Sequence, residues 1–196
     1  MKPFSESCVQ NCTPILEVLR PLLVDRKELL EIGSGTGQHA VYFAPEFPNL
    51  IWQTSDISAH HPGIQLWLEE AAQANIRLPL TLDVLQADWP AINPDAVFSA
   101  NTLHIMDSAM VEACITGVGE LLQSGGLYIV YGPFNYNGEY TSESNARFDQ
   151  WLAQRNAGSA IRDFEWVNEL ATDAGMALEQ DIAMPANNRI LVWRKS

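Results

Sequence analysis

Short apolar runs alternate along the chain with stretches whose apolar positions recur every three or four residues. The apolar runs predict strands at residues 29–32, 50–55, 80–82, 96–100 and 127–131. The periodic stretches predict helices at residues 39–44, 64–74 and 109–122. Strands that alternate with helices indicate βαβ units, and hence a mostly parallel sheet with helices on both faces.

The pattern changes at both ends of the chain. Near the start, an amphipathic helix is predicted with Thr13 as its N-cap, Pro14 in its first turn, and Pro21 bending or ending it. Its apolar stripe consists of Ile15, Val18, Leu19, Leu22 and Leu23. Near the end, helices are expected at residues 146–154 and 164–174, followed by extended runs at 178–182 and 190–193. Proline and asparagine between these last two runs predict a turn.

Charge and cysteine content exclude several classes of function. The formal net charge is −13, and the 11 lysines and arginines form no cluster, so neither nucleic acid nor an anionic membrane is an expected partner. No apolar window is long enough to span a bilayer, and the first residues contain no apolar signal core. Cys8, Cys12 and Cys114 fit neither a metal site nor a disulfide framework. We therefore expect reduced thiols in a cytoplasmic protein without a bound metal.

A glycine cluster follows the first predicted strand, in the sequence Glu-Ile-Gly-Ser-Gly-Thr-Gly at residues 31–37. Open α/β sheets bind ligands where a strand turns into a helix, and glycine lets the ligand approach the backbone. The dinucleotide fingerprint fails, because its third glycine position, counted from Gly33, is Gln38. The phosphate-binding P-loop also fails, since no Gly-Lys-Ser/Thr follows. Neither of these two phosphate-binding patterns is therefore present in the cluster.

Acidic residues follow the next two strands. Asp56 ends the second strand, 19 residues after Gly37, where an acid can accept hydrogen bonds from ribose hydroxyls. This spacing supports a nucleoside ligand without choosing between ligand classes. Asp83 directly follows the third strand, which favours it over the nearby Asp88. Any one of these acids could be a solvated loop carboxylate, but their repetition at successive strand ends, together with the glycine cluster, favours a binding site.

An acid followed by Gly-x-Gly-x-Gly resembles the first motif of class I S-adenosylmethionine (SAM)-dependent methyltransferases. The resemblance implies a Rossmann-like seven-stranded sheet in the order 3-2-1-4-5-7-6, mostly parallel with an antiparallel last strand. It also implies that SAM is the cofactor, with Glu31 near its amino group and Asp83 near the adenine amino group. The implied cofactor-binding residues are Glu31, Gly33, Ser34, Gly35, Gly37, Asp56, Ile57, Asp83, Val84 and Asn101.

Two further sequence motifs make the resemblance more specific: Tyr-Gly-Pro-Phe from Tyr131 and Met-Pro-Ala-Asn-Asn from Met184. They are similar to a small family of methyltransferase-like proteins with no assigned substrate, and the similarity covers nearly the whole chain. The chain departs from that family at Gln10, where an arginine is usual. The similarity implies one domain over residues 1–196. Within it, a helical segment at 1–27 could act as a lid, residues 28–131 would bind the cofactor, and residues 132–196 would face the substrate.

The acceptor of the methyl group should meet residues near the ends of the fourth and fifth strands, because methyl transfer needs the acceptor in line with the sulfonium. His104 and Tyr131 are the catalytic candidates, although a buried packing histidine is the simpler interpretation of His104. Residues 132–145 form a polar connection that we expect to border the acceptor site. The expected lining residues are Asn135, Ser144, Asn145 and Asn187. From its residue type alone, turn chemistry is the better interpretation of Asn187, and only the resemblance makes it a lining residue.

The leading hypothesis is therefore a SAM-dependent methyltransferase that acts on a small molecule. Asn101-Thr-Leu-His104 differs from the Asn/Asp-Pro-Pro-Tyr sequence of enzymes that methylate nucleic-acid amino groups, which agrees with the acidic charge. Two alternatives stay open: a cofactor- or partner-binding module without chemistry, and an NAD(P)-dependent oxidoreductase on a similar sheet. The sequence names neither the acceptor nor the oligomeric state.

Overall fold

The computed structural model describes residues 2–196, and seven of the strands in this range form one sheet. These strands are β1 (Glu28–Ile32), β2 (Ile51–Asp56), β3 (Ile76–Thr81), β4 (Ala96–Ala100), β5 (Leu127–Gly132), β6 (Met176–Met184) and β7 (Asn188–Lys195). Their order is β3-β2-β1-β4-β5-β7-β6. Strand β1 is parallel to β2 and β4, while β7 is antiparallel to both β5 and β6. This topology confirms the fold class and the strand order expected from the sequence.

Within residues 2–196, six α-helices accompany the sheet: α1 (Glu6–Leu23), α2 (Gln38–Phe43), α3 (His61–Ala71), α4 (Ser108–Leu121), α5 (Glu143–Arg155) and α6 (Phe164–Asp173). Side-chain oxygens cap three of them. Ser5 accepts from the Cys8 amide at the start of α1, and Asp107 and Ser142 do the same for α4 and α5. A second, two-stranded parallel sheet pairs Phe134–Asn135 with Arg162–Asp163.

The predicted start of α1 is wrong. Ser5, not Thr13, is the N-cap, and both Pro14 and Pro21 lie inside the helix. A proline inside a helix costs about 3 kcal/mol because it lacks an N–H and its ring crowds the preceding turn. The buried face of α1 outweighs this cost, since each fully buried leucine or isoleucine contributes about 1.5–3 kcal/mol. The buried apolar side chains are Cys12, Ile15, Leu16, Leu19 and Leu23.

The third strand also begins earlier than its apolar pattern indicates, at Ile76 instead of residue 80. Arg77 and Pro79 interrupt the apolar run, and the strand has three half-buried and three exposed positions but no fully buried one. A proline is tolerated here because β3 lies at the edge of the sheet, where an amide hydrogen need not pair with a further strand.

The chain forms two compact units, one ending at Ser99 and the other covering Ala100–Ser196. In the first unit, the rings of Phe43, Trp52 and Phe98 pack with centroids 5.6–5.9 Å apart. In the second unit, Tyr128 on β5 stacks on Trp193 on β7 at 5.7 Å. The domain limits expected at residues 27 and 131 stay a prediction.

No helix in residues 2–196 combines the length and the apolar character that crossing a bilayer requires. The same residues contain no cluster of three or more histidine, cysteine, aspartate or glutamate side chains arranged to hold a metal ion.

Candidate functional site

Glu31 is a buried carboxyl group near the end of β1, with 2% of its surface exposed. Its Oε2 accepts hydrogen bonds from Ser34 Oγ at 2.9 Å and from Trp52 Nε1 at 3.1 Å. Burial raises the pKa of Glu31 from 4.5 to about 7, although these two donors oppose the rise. Near neutral pH the carboxyl is therefore poised between its two protonation states, and a cationic group beside it would favour the ionised form.

The glycine loop that follows β1 has a different steric demand at each end. Gly35 and Gly37 both have positive φ angles, 59° and 87°, which strain any residue with a side chain. A Cβ on Gly37 would lie 3.3 Å from Ile64 of α3, so this glycine lets the helix pack against the loop. A Cβ on Gly35 would meet only the Gly33 carbonyl oxygen, at 3.9 Å, so the backbone at Gly35 leaves room for a ligand.

Asp56 fixes the same loop from the end of β2. Its Oδ2 accepts a hydrogen bond from the Gly35 amide at 2.8 Å. Its Oδ1 accepts from the Ile57 amide and lies 2.8 Å from His60 Nδ1. A carboxylate offers about four lone-pair positions, so Asp56 keeps capacity for another donor. The structure thus brings four of the predicted residues together: Glu31, Ser34, Gly35 and Asp56.

Asp83 reaches the same edge of the sheet through the pairing of β2 with β3. The Leu82 amide donates to the Asp56 carbonyl at 3.0 Å, and Asp83 is the next residue. Asp83 is half-buried, Val84 is buried, and Ile57 is 41% exposed. Asp83 and Val84 therefore follow β3 at this edge of the sheet and Ile57 follows β2, while their contacts with a ligand stay a prediction.

A chain of three polar side chains joins α1 to α2, and the sequence analysis did not anticipate it. His39 Nε2 lies 2.7 Å from Asn11 Oδ1, and His39 Nδ1 lies 3.9 Å from Cys8 Sγ. Burial lowers the pKa of His39 to about 4 and raises that of Cys8. These directions oppose the transfer of a proton from thiol to imidazole that a cysteine nucleophile requires. These three side chains therefore hold α1 in place and do not form a nucleophilic site.

In the second unit, the predicted catalytic residues lie close to the ends of β4 and β5. The Asn101 amide donates to the Tyr131 carbonyl at 2.9 Å, and Asn101 adopts a left-handed conformation with φ of 57°. His104 is 7% exposed, and its ring meets that of Phe148 edge-on at 5.3 Å. Burial, assisted by the charge of Arg162, lowers the pKa of His104 to about 4. The imidazole is therefore neutral at physiological pH.

Three of the four predicted substrate-lining residues form one hydrogen-bonded group. The Asn145 side-chain amide donates to the Asn187 carbonyl at 3.2 Å, and the Asn187 amide donates to Ser144 Oγ at 3.4 Å. Asn145 is buried, whereas Ser144 and Asn187 are exposed. Asn135 makes no hydrogen bond to this group. Asn135 lies on the short strand, opposite Asp163 on the paired strand. The Oδ1 atom of each of these two side chains is buried and has no hydrogen-bond partner among residues 2–196.

Sequence reasoning assigned no role to Trp52 or Asp163. Trp52 is a tryptophan in the middle of a buried strand, and a buried indole N–H usually needs an acceptor, which Glu31 supplies here. For Asp163 the sequence offers only an acid at the predicted start of a helix, a pattern that is typical of caps. The structure shows no capping bond from this side chain.

A groove of about 270 Å³ lies elsewhere on the first unit. Its lining includes Arg20, Val24, Arg26 and Phe47, and it contains none of the predicted site residues. Charge, burial and hydrogen bonding converge instead on the glycine loop, so we place the candidate cofactor site there.

Comparisons with known proteins agree with the fold. A family model described as "Protein of unknown function (DUF938)" matches residues 2–195. An O-methyltransferase family protein from Burkholderia thailandensis has a TM-score of 0.85 and 16% identity, covering 97% of this chain and 58% of that one. Human N-acetylserotonin methyltransferase in complex with SAM has a TM-score of 0.80 and 16% identity, and the match covers 97% of this chain and 53% of that one. PigF with SAH has a TM-score of 0.80 and 15% identity, and the match covers 97% of this chain and 64% of that one.

These likenesses confirm the class I methyltransferase fold. At 15–16% identity they establish the fold alone. The chain spans 53–64% of the length of the three solved proteins, so each of them contains a substantial part that has no counterpart here.

Proposed function

The chain belongs to the DUF938 family of proteins of unknown function, and we propose that it is a SAM-dependent methyltransferase acting on a small-molecule acceptor. One observation carries the proposal: Glu31, Ser34, Gly35 and Asp56 form a hydrogen-bonded cradle at the end of β1 and β2. The cradle presents carboxylates and an open glycine backbone and holds no lysine or arginine. This chemistry suits a cationic nucleoside and is poorly suited to a phosphate.

Each carboxylate has a distinct role in the proposed cofactor site. Glu31 would face the ammonium group of SAM, whose charge favours the ionised form of a carboxyl whose pKa burial raises to about 7. Asp56 would accept from a ribose hydroxyl with its remaining capacity, and Asp83 from the adenine amino group. Bound SAM supplies an electrophilic sulfonium methyl. Two of the structurally similar proteins were solved with SAM or SAH, which supports this choice of cofactor.

The proposed acceptor residues belong to the second unit. His104 is neutral at physiological pH, so a ring nitrogen would accept a hydrogen bond from a hydroxyl acceptor and orient it, while the lowered pKa makes the imidazole a weak base. Tyr131 is the second catalytic candidate. Asn135, Ser144, Asn145 and Asn187 would contact the acceptor, and the charge of −13 supports a small molecule over a nucleic acid.

Calorimetry with SAM, SAH and NAD tests the cofactor. We expect SAM and SAH to bind, and Asp56→Asn and Asp83→Asn each to weaken binding at least tenfold, since a hydrogen bond to a charged group contributes about 1.5–3 kcal/mol. Asp88→Asn is the matched control, because Asp88 is an exposed acid on the same connection. Binding of NAD without binding of SAM would replace the proposal with an oxidoreductase.

Transfer of a labelled methyl group to a small-molecule extract tests the chemistry. We expect labelled product with the wild-type protein, and a much lower rate with His104→Gln at unchanged SAM affinity. Binding of SAM without any labelled product, in the presence of a working control enzyme, would favour a cofactor-binding module that performs no reaction.

A further inference from the structure

Asn135 and Asp163 face each other across the short parallel sheet. Asn135 is the register partner of Asp163, and opposite residues of paired strands project from the same face. The Oδ1 atom of each side chain is buried and accepts no hydrogen bond from any residue in 2–196. These are the only two such buried side-chain atoms in the described part of the chain, and they lie in register.

The two strands are held firmly, so a loose loop does not explain the unpartnered oxygens. Tyr136, the residue after Asn135, stacks on Phe164, the residue after Asp163, with centroids 5.1 Å apart. The Tyr136 hydroxyl donates to Asp181 at 2.9 Å. On the other side, Arg162 donates to the carbonyls of Leu103 and Gly158. Asn135 and Asp163 are therefore fixed from both directions.

Both unpartnered atoms are acceptors, and two acceptors cannot satisfy each other. A buried acceptor without a donor destabilises a fold, so native structures rarely keep one without a function or a ligand. Charged side chains of both signs lie nearby: the Arg162 guanidinium precedes Asp163 and interacts with the Asp149 carboxyl. The Tyr140 hydroxyl donates a hydrogen bond to Asp149 at 2.7 Å, which raises the pKa of Tyr140, and the charge of Asp163 adds to the effect. Because Arg162 donates to backbone carbonyls and not to Asp163, a positively charged donor would complement the unpartnered carboxyl oxygen.

We infer that Asn135 and Asp163 together bind the protonated amino group of a small amine. An ammonium brings three N–H donors, enough for both oxygens, and compensates the carboxylate charge, whereas a ligand hydroxyl brings one donor and no charge. As a statement about the methyl acceptor, the inference rests on the proposed function. A protonated nitrogen has no lone pair, so the ammonium anchors the molecule and the methyl group goes to another atom.

Thermal unfolding of Asp163→Asn tests whether the two oxygens lack a donor. The introduced amide can donate to Asn135 Oδ1, and one new buried hydrogen bond should raise the melting temperature by roughly 2–4 °C in a chain of this length. Asp173→Asn is the matched control, because it makes the same charge change at an exposed position of α6 and should leave the melting temperature unchanged. A lower melting temperature for Asp163→Asn would mean that Asn135 already donates to Asp163, and would overturn the inference.

Ligand-observed NMR then tests the amine. The probes are 2-phenylethylamine, hexylamine and 1,4-diaminobutane at pH 7, each compared with the corresponding alcohol. We expect at least one amine to bind more tightly than its alcohol, and Asp163→Asn to weaken that binding at least tenfold while Asp173→Asn does not. If no amine binds, or if both variants bind amines as the wild type does, the inference is wrong.

Calorimetry with SAM on the same samples separates this inference from the proposed function. Amine binding that depends on Asp163, in a protein that does not bind SAM, would leave the amine site standing and remove the methyltransferase. SAM binding with methyl transfer to neutral acceptors, unaffected by Asp163→Asn, would do the reverse.

Discussion

Replacing Glu31 with glutamine should change how the stability of the protein depends on pH. Glu31 is 2% exposed, so its charge is shielded from water, and burial raises its pKa from 4.5 to about 7. The substitution removes the titrating group, while the amide oxygen of glutamine can still accept from Ser34 and Trp52. The change therefore tests the electrostatics of this position without removing its two hydrogen-bonding neighbours.

The sign and size of the effect follow from proton linkage. The folded protein holds a proton on Glu31 more tightly than the unfolded chain does, so this residue contributes stability at pH values below 4.5. That contribution is lost at about 1.4 kcal/mol per pH unit as the pH rises to about 7, and the whole shift corresponds to about 3 kcal/mol. Above pH 7 no further loss is expected. Between pH 5.5 and 8, the loss from Glu31 should be about 2 kcal/mol.

Urea unfolding of both proteins at several pH values between 5.5 and 8 provides the measurement. Other groups also titrate, so the informative quantity is the difference in the free energy of unfolding between Glu31→Gln and the wild type. This difference should shift in favour of the variant by about 2 kcal/mol over that range, most of it below pH 7. Parallel pH profiles would show that Glu31 titrates normally, and would remove the electrostatic basis for its assigned role.

Three further outcomes are expected. As the pH is raised towards 7, the affinity of the wild type for SAM should increase by up to tenfold per pH unit, because the ammonium group favours ionised Glu31. Calorimetry on Glu31→Gln should show no such increase. Arg162→Met should lower the free energy of unfolding in urea by about 2–4 kcal/mol, because three backbone carbonyls lose their buried donor. Gly119→Ala should lower the melting temperature although alanine favours helices, because its Cβ would lie 2.6 Å from the Ala174 carbonyl oxygen; an unchanged or higher value would contradict this packing.

The sequence predicted the sheet well because its central strands are buried on both faces. Strands of this kind are continuous apolar runs, and β1, β4 and β5 show them clearly. The edge strand β3 has weaker burial and contains a proline, so only its last residues were predicted. The start of α1 was missed for a similar reason. Its first two turns are mostly exposed, and Pro14 looked like a helix start although tertiary packing carries the helix through it.

The cofactor half of the candidate site was predictable because its geometry is local. The glycine loop follows one strand directly. Gly35 and Gly37 adopt positive φ angles, and glycine is the residue type that tolerates this conformation, so the sequence indicates it. Asp56 and Asp83 could be placed from their strands alone, since the carboxyl ends of parallel strands share an edge. The partner of Glu31 was not predictable in this way, because Trp52 reaches it from the adjacent strand, 21 residues further along the chain.

The second unit was harder to predict because its polar groups converge from distant parts of the chain. Residues 132–145 were expected to form one polar connection, yet they contain the two-residue strand Phe134–Asn135, and α5 begins at Glu143. A strand of two residues has no measurable periodicity, and its partner at Arg162–Asp163 lies 28 residues further on. The sequence therefore identified Asn135 as a lining residue without the carboxylate opposite it. Under the inference above, that carboxylate would change the expected acceptor from any small polar molecule to a cationic one, a step that depends on a strand pairing that only the folded chain reveals.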